Sequence, residues 1–144
     1  VYRSRKPFDP TRFFSYVQEK FPGTIIRSKG LFWLASRPEQ ALVWGQAGGS
    51  LKADSAGVWW SSMPMRDRQQ YLGYIENQKE IESGWDAKFG DRKNEIVFIG
   101  QEMDEEMIRT DLDNCLSTED ELATDFWVDG YRDHWPIPRY SNVE

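Results

Sequence analysis

Five consecutive apolar residues, Leu31-Phe32-Trp33-Leu34-Ala35, constrain this chain more than any other feature. They sit between a basic stretch, Arg27-Ser28-Lys29, and the stop signal Arg37-Pro38. A helix that crosses a bilayer needs about 20 apolar residues, so a run this short belongs to the interior of a small globular fold. Together with its flanks, "TIIRSKGLFWLAS" (24–36) reads as one long strand, kinked at Gly30 and ended by Arg37-Pro38. Trp33 is then a core residue, and Arg27 and Lys29 share one side of the strand because side chains alternate.

The neighbouring segments supply the partners such a strand needs. Residues 1–6 alternate and read as a further strand, with Arg3 and Arg5 on one side. "FDPTRFFSYVQEKFPG" (8–23) is a helix: Asp9 caps it, Pro10 suits its first position, and Phe13, Phe14, Val17 and Phe21 form an apolar stripe. "ALVWGQAGGSLKAD" (41–54) reads as a β-hairpin in which Gly48-Gly49 supply two positive-φ turn positions. Residues 66–80 are helical, with Tyr71, Leu72 and Ile75 on one side, and "NEIVFIG" (94–100) has the unbroken apolar character of a strand buried on both faces. Asp104 caps a helix over 105–116, where Glu105 and Glu106 favour the helix dipole, and Thr118–Glu121 has the spacing of a capping box. The order of these elements predicts an α+β domain: two layers, with a mostly antiparallel sheet of four to five strands and helices on one face. Residues 1–118 form the domain, and 119–144 an aromatic tail packed on it.

Length and composition narrow the function classes. At 144 residues with 15% aromatics, the chain is one ordinary domain with enough apolar material for a core, in spite of a mean hydropathy of -0.72. It begins at Val1, already in a strand-like run, and reads as a piece of something longer. One cysteine precludes an internal disulfide and fits a reducing, cytoplasmic setting. A net charge of -6 argues against a nucleic-acid partner, and the absence of a long apolar run argues against a membrane one. The charge is polarised: residues 1–40 carry eight Lys/Arg against three acids, and the remaining 104 carry ten against 21. Such asymmetry marks a candidate binding face.

Catalytic chemistry is thinly represented. The phosphate-cradling Gly-x-x-x-x-Gly-Lys-[Ser/Thr] is absent, as is Gly-x-Ser-x-Gly. General acid–base work would fall on the single His134, beside Asp133, or on the carboxylates of Glu102–Glu106. The acids coincide with helix starts, where they are favoured anyway, and Cys115 lies on an apolar stripe. With His134 it cannot complete a four-ligand zinc site. No catalytic, cofactor or metal residue is therefore assigned. The adjacent pairs Trp59-Trp60 and Phe126-Trp127 point in different directions, so one member of each is a candidate for an exposed partner surface.

Taken in order, "RKPFDPTRF", "GTIIRSKGLFWLASRP", "QAGGSLKADSAGVWW" and "GDRKNEIVFIGQEMDEEMIRTDLDNCLST" resemble the C-terminal domain of the CobW family of P-loop GTPases and metallochaperones, over residues 2–118. The resemblance implies a non-catalytic accessory domain. Its parent would carry an N-terminal P-loop GTPase domain in the same polypeptide, using GTP and Mg to deliver zinc or cobalt to a metalloprotein client. This domain would sense nucleotide state or meet the client, and none of the GTPase motifs has a position here onto which to be carried. The partner-binding residues expected are Arg3, Arg5, Arg27, Lys29, Trp59 and Trp60. The alternatives are a free-standing binding module for an anionic ligand or nucleic acid, and a small carboxylate-using enzyme.

Overall fold

The computed structural model describes residues 1–123 and 131–138. The expected pair Phe126-Trp127 lies outside the described residues. Five strands, β1 (Tyr2–Ser4), β2 (Ile25–Phe32), β3 (Gln40–Ala47), β4 (Ser50–Val58) and β5 (Asn94–Gly100), make one sheet in the order β1-β5-β2-β3-β4. Every neighbouring pair is antiparallel. β2 is central, as its apolar content demands, but it ends at Phe32, and Trp33 to Arg37 leave the sheet fully buried. The register runs unbroken through Gly30, so the expected kink is not there; the irregularity lies between Ile25 and Arg27. Gly30 is needed for another reason. A Cβ at this position would come within 2.0 Å of the Glu95 carbonyl oxygen.

Helix α1 (Pro10–Ser15) starts as its sequence dictates, with the Asp9 carboxylate accepting from the amides of Thr11 (2.9 Å) and Arg12 (3.0 Å). It widens into a π-helical turn, Tyr16–Lys20. The segment expected as one helix over 66–80 is instead α2 (Met65–Arg68) and α3 (Leu72–Ser83). Of its apolar residues only Tyr74 is buried, while Tyr71, Leu72 and Ile75 face outward. Helix α4 (Glu105–Asn114) is capped by Asp104, and the short α5 (Glu119–Leu122) is preceded by the capping box expected at Thr118 and Glu121. Between Gly48 and Gly49 only the former has a positive φ (59°), as in a type II′ turn.

The core lies on one face of the sheet. Phe13, Tyr16 and Val17 from α1 and its π-turn, with Ile108, Leu112 and Cys115 at α4, pack on Tyr2, Phe32, Leu42, Trp44 and Ile96. A second cluster at the end of the sheet gathers Trp33, Ala35, Ala41, Trp59, Phe89 and Leu122. Residues 131–138 cross the first cluster. Trp135 stacks on Phe13 with ring centroids 5.4 Å apart and donates its indole N–H to the Pro10 carbonyl. Beside it, Arg37 grips Asp133 through Nε (2.7 Å) and Nη2 (3.0 Å), and reaches the carbonyls of Trp135 and Ile137 with its remaining hydrogens. Both charged side chains are at least 95% buried.

Candidate functional site

Among the described residues no helix covers the second face of the sheet, and the strand register determines what stands on this open face. One row crosses all five strands as Arg3, Glu95, Leu31, Val43 and Asp54. The next runs Val97, Lys29, Gly45 and Lys52, and the third Ile99, Arg27, Ala47 and Ser50. The result is an apolar set of Leu31, Val43, Val97 and Ile99 around Lys29, bordered by Arg27, Lys52 and the Arg3–Glu95 pair, with Asp54 at the β4 edge. Ile99 is 57% exposed, and Val43 and Val97 about two-fifths. Apolar residues of this size, contiguous on one face, are what protein interaction surfaces expose. The face is also dished, with a hollow of about 420 Å³ whose lining includes Val1, Arg3, Lys29, Leu31, Val43, Glu95 and Val97.

Of the six residues expected to meet a partner, three share this face. Arg27 and Lys29 are exposed and, among the described residues, enter no ion pair; Lys52 beside them is in the same state. Arg3 is held by Glu95 at 2.7 Å, which keeps that carboxyl below the usual carboxylate range. Arg5 departs from the alternation because β1 ends at Ser4. Its guanidinium instead ties the carbonyls of Gly84 (2.6 Å) and Gly90 (2.9 Å) to the strand end. Trp59 is 6% exposed and belongs to the second core cluster, so it offers no surface. Trp60 is half-buried, against the rings of Tyr71 (5.8 Å) and Tyr74 (5.2 Å) and away from the open face's residues.

Sequence reasoning missed Val43, Val97, Ile99 and Lys52. β5 was expected to be covered on both sides, yet Val97 and Ile99 are solvent-facing while Ile96 is buried. Every apolar residue in "IVFI" looks alike, and the alternation becomes visible only through the pairing with Arg27 and Lys29. That neighbour relation was the available signal: a strand laid against two outward cations presents its matching side chains to the same solvent.

The carboxylates at the start of α4 take structural roles. Asp104, Glu105 and Glu106 occupy the cap and first turn of α4. His134 is exposed, and its neighbour Asp133 serves Arg37, Ser36 and the Trp135 amide rather than the imidazole. Burial raises the Cys115 thiol to about 11, leaving it protonated and inert at neutral pH. Among the described residues no three His, Cys, Asp or Glu side chains gather as a metal site, and no helix is long and apolar enough to cross a membrane.

Comparison with known proteins identifies the family. Residues 1–116 match the family described as the cobalamin synthesis protein cobW C-terminal domain. The chain belongs to that family. It is 34% identical over 132 residues to the zinc-regulated GTPase metalloprotein activator 1 of Dictyostelium discoideum, covering 88% of this chain and 27% of that protein. It is 30% identical over 125 residues to the zinc chaperone Rv0106 of Mycobacterium tuberculosis, covering 85% of this chain and 30% of that one. The fold is similar to part of the Zn(II)-bound YjiA GTPase from E. coli, with a TM-score of 0.52 at 19% identity over 81% of this chain and 28% of the other. The chain thus spans about three-tenths of the length of the curated relatives it matches. As a CobW C-terminal domain it is an accessory domain, and its sequence lacks the phosphate-cradling Gly-x-x-x-x-Gly-Lys-[Ser/Thr].

Proposed function

We propose that this domain is the docking half of a GTP-dependent zinc chaperone. In this reading its open sheet face meets the GTPase domain of the same polypeptide, differently in the GTP and GDP states. The observation that carries the reading is the uncovered apolar set of Leu31, Val43, Val97 and Ile99, standing with Arg3, Arg27 and Lys29. Among the described residues the hydrophobic core is built on the other face, which leaves this surface without an internal role. The names of two relatives, a zinc-regulated GTPase metalloprotein activator and a zinc chaperone, support a GTPase partner domain and favour zinc over cobalt. Arg27 and Lys29 would mainly set orientation and association rate, while the apolar set supplies affinity. A switch needs contact that differs between its two states; a rigid sheet face docked in one state and released in the other meets that requirement without moving the core. The single unpaired Cys115 fits a cytoplasmic setting, and the metalloprotein client would be met by the assembled protein.

The test uses the 144-residue chain and the GTPase half supplied as a second polypeptide. Affinity is measured by calorimetry with GTP analogue and with GDP. The unaltered chain should bind more tightly in one state, and Arg27→Glu with Lys29→Glu should weaken that binding at least tenfold while the circular dichroism spectrum stays unchanged. Equal affinity of the doubly reversed chain, in a state where the unaltered chain binds, would remove the open face from the account.

A further inference from the structure

The open face contains a glycine that the fold does not require. Gly45 lies in the middle of β3, between Trp44 and Gln46, in unbroken register with Lys29 on one side and Lys52 on the other. Its φ is not positive, and a Cβ added there would meet nothing nearer than the Lys52 carbonyl at 4.0 Å. Gly30, in the adjoining strand, shows what a required glycine looks like, with the β5 backbone pressed against it. Glycine in a strand interior weakens the strand, through backbone entropy and a missing side chain to pack. Where neither dihedral angle nor internal packing calls for it, the remaining use is close approach by another molecule.

The surroundings of Gly45 define that molecule's chemistry. Directly opposed residues in an antiparallel sheet place their Cβ atoms about 5 Å apart. Lys29 and Lys52 therefore flank the glycine from both neighbouring strands on the same face, with Arg27 in the next row beside Lys29. All three are exposed and, among the described residues, enter no ion pair. They stand together on a chain whose net charge is -6. Across the remainder of the face, Leu31, Val43, Val97 and Ile99 are apolar, Glu95 is taken up by Arg3, and the one further acid of these rows is Asp54, opposite Val43.

We infer that Gly45 floors a notch in the docking face, and that the notch receives an acidic side chain of the partner protein, held between Lys29 and Lys52 with Arg27 alongside. The inference rests on the docking reading above and adds to it the partner's chemistry: a carboxylate set in an apolar surface. The missing side chain lets the carboxylate come down to the sheet, where both ammonium groups reach it. Ordinary side chains in the same place would hold the partner off.

The experiment replaces Gly45 by Thr in the 144-residue chain, with Lys52→Gln as its companion, and measures urea stability alongside affinity for the GTPase half. Thr favours strand geometry and meets open space here, so Gly45→Thr should be as stable as the parent chain or more so, and yet bind at least tenfold more weakly. Lys52→Gln should weaken binding severalfold and flatten its dependence on salt. If Gly45→Thr and Lys52→Gln bind as the parent does while Arg27→Glu/Lys29→Glu does not, the notch is refuted and the docking face stands. If none of the variants changes binding, the face itself is refuted. Should Gly45→Thr unfold, Gly45 serves the fold after all, and the inference fails on stability alone.

Discussion

Removing the carboxylate from the buried pair between Arg37 and Asp133 gives the sharpest test of how the domain is held together. Asp133 accepts from Arg37 Nε and Nη2, from Ser36 Oγ and from the Trp135 amide, with its side chain 5% exposed. Asp133→Asn keeps the shape but leaves a guanidinium, itself 2% exposed, facing an amide with only carbonyl oxygens of Trp135 and Ile137 still in place. Breaking a buried pair from one side costs about 3–5 kcal/mol. The two surviving carbonyl contacts put this case near the lower end, roughly 3 kcal/mol, or a fall in Tm of about 6–12 °C for a chain of this size. Urea unfolding followed by tryptophan fluorescence reads the change. Arg37→Met combined with Asp133→Leu should cost much less than the sum of the single losses, since it leaves no unpaired charge. The pH dependence follows from the same contacts. Burial pushes the Asp133 carboxyl up, but its bonds to Arg37 and Ser36 outweigh this and hold it below the usual range. Its stabilisation is therefore present above the unfolded value of about 3.9 and is lost as pH falls through the lower folded value. Asp133→Asn should flatten the acid limb of the stability curve. A single-variant loss under about 1 kcal/mol, or strictly additive losses, would refute the reasoning.

Other outcomes follow from the same structure. Gly30→Ala forces a methyl onto the Glu95 carbonyl, and should cost roughly 3 kcal/mol, the upper end of the overpacking range; chemical denaturation measures it, and a neutral result would mean β2 and β5 are not so closely apposed. The Cys115 thiol, raised to about 11 by burial, should resist Ellman's reagent at pH 8 in the native chain and react at once in denaturant. Rapid native labelling would show that α4 opens readily. The charge reversals at Arg27 and Lys29, and the Gly45 variant, extend the set to binding.

Much of the fold is legible in the residues because its signals are local. Asp9-Pro10, Asp104 and Thr118 each declare a helix start, and each cap is made with the bonds their side chains allow. The hairpin is declared by Gly48-Gly49. What a sequence leaves hidden is which of two faces a strand buries when both carry apolar side chains. "IVFI" in β5 does not distinguish Ile96, sealed against Tyr2, from Ile99, open beside Arg27. The same holds for Tyr71, Leu72 and Ile75, whose helical spacing suggests a buried stripe that the break between α2 and α3 turns to solvent. Arg27 and Lys29 could be placed on one side of a strand from spacing alone. Arg5 could not, because the alternation stops with β1, and Trp59 could not, because its burial depends on Phe89 and Trp33 from distant segments. Glycines read alike as letters; only the three-dimensional neighbours separate Gly30, which the fold requires, from Gly45, which it does not.

The central claim is that the open sheet face is the surface through which this domain meets its GTPase half. Lysine acetylation footprinting, compared between the isolated 144-residue chain and the two-domain protein with GTP analogue or GDP, tests it most directly. The account predicts that Lys29 and Lys52 react freely in the isolated chain and severalfold more slowly in the two-domain protein in one nucleotide state, while Lys79 on α3 reacts equally throughout. Equal labelling of Lys29 and Lys52 in all three samples would contradict it.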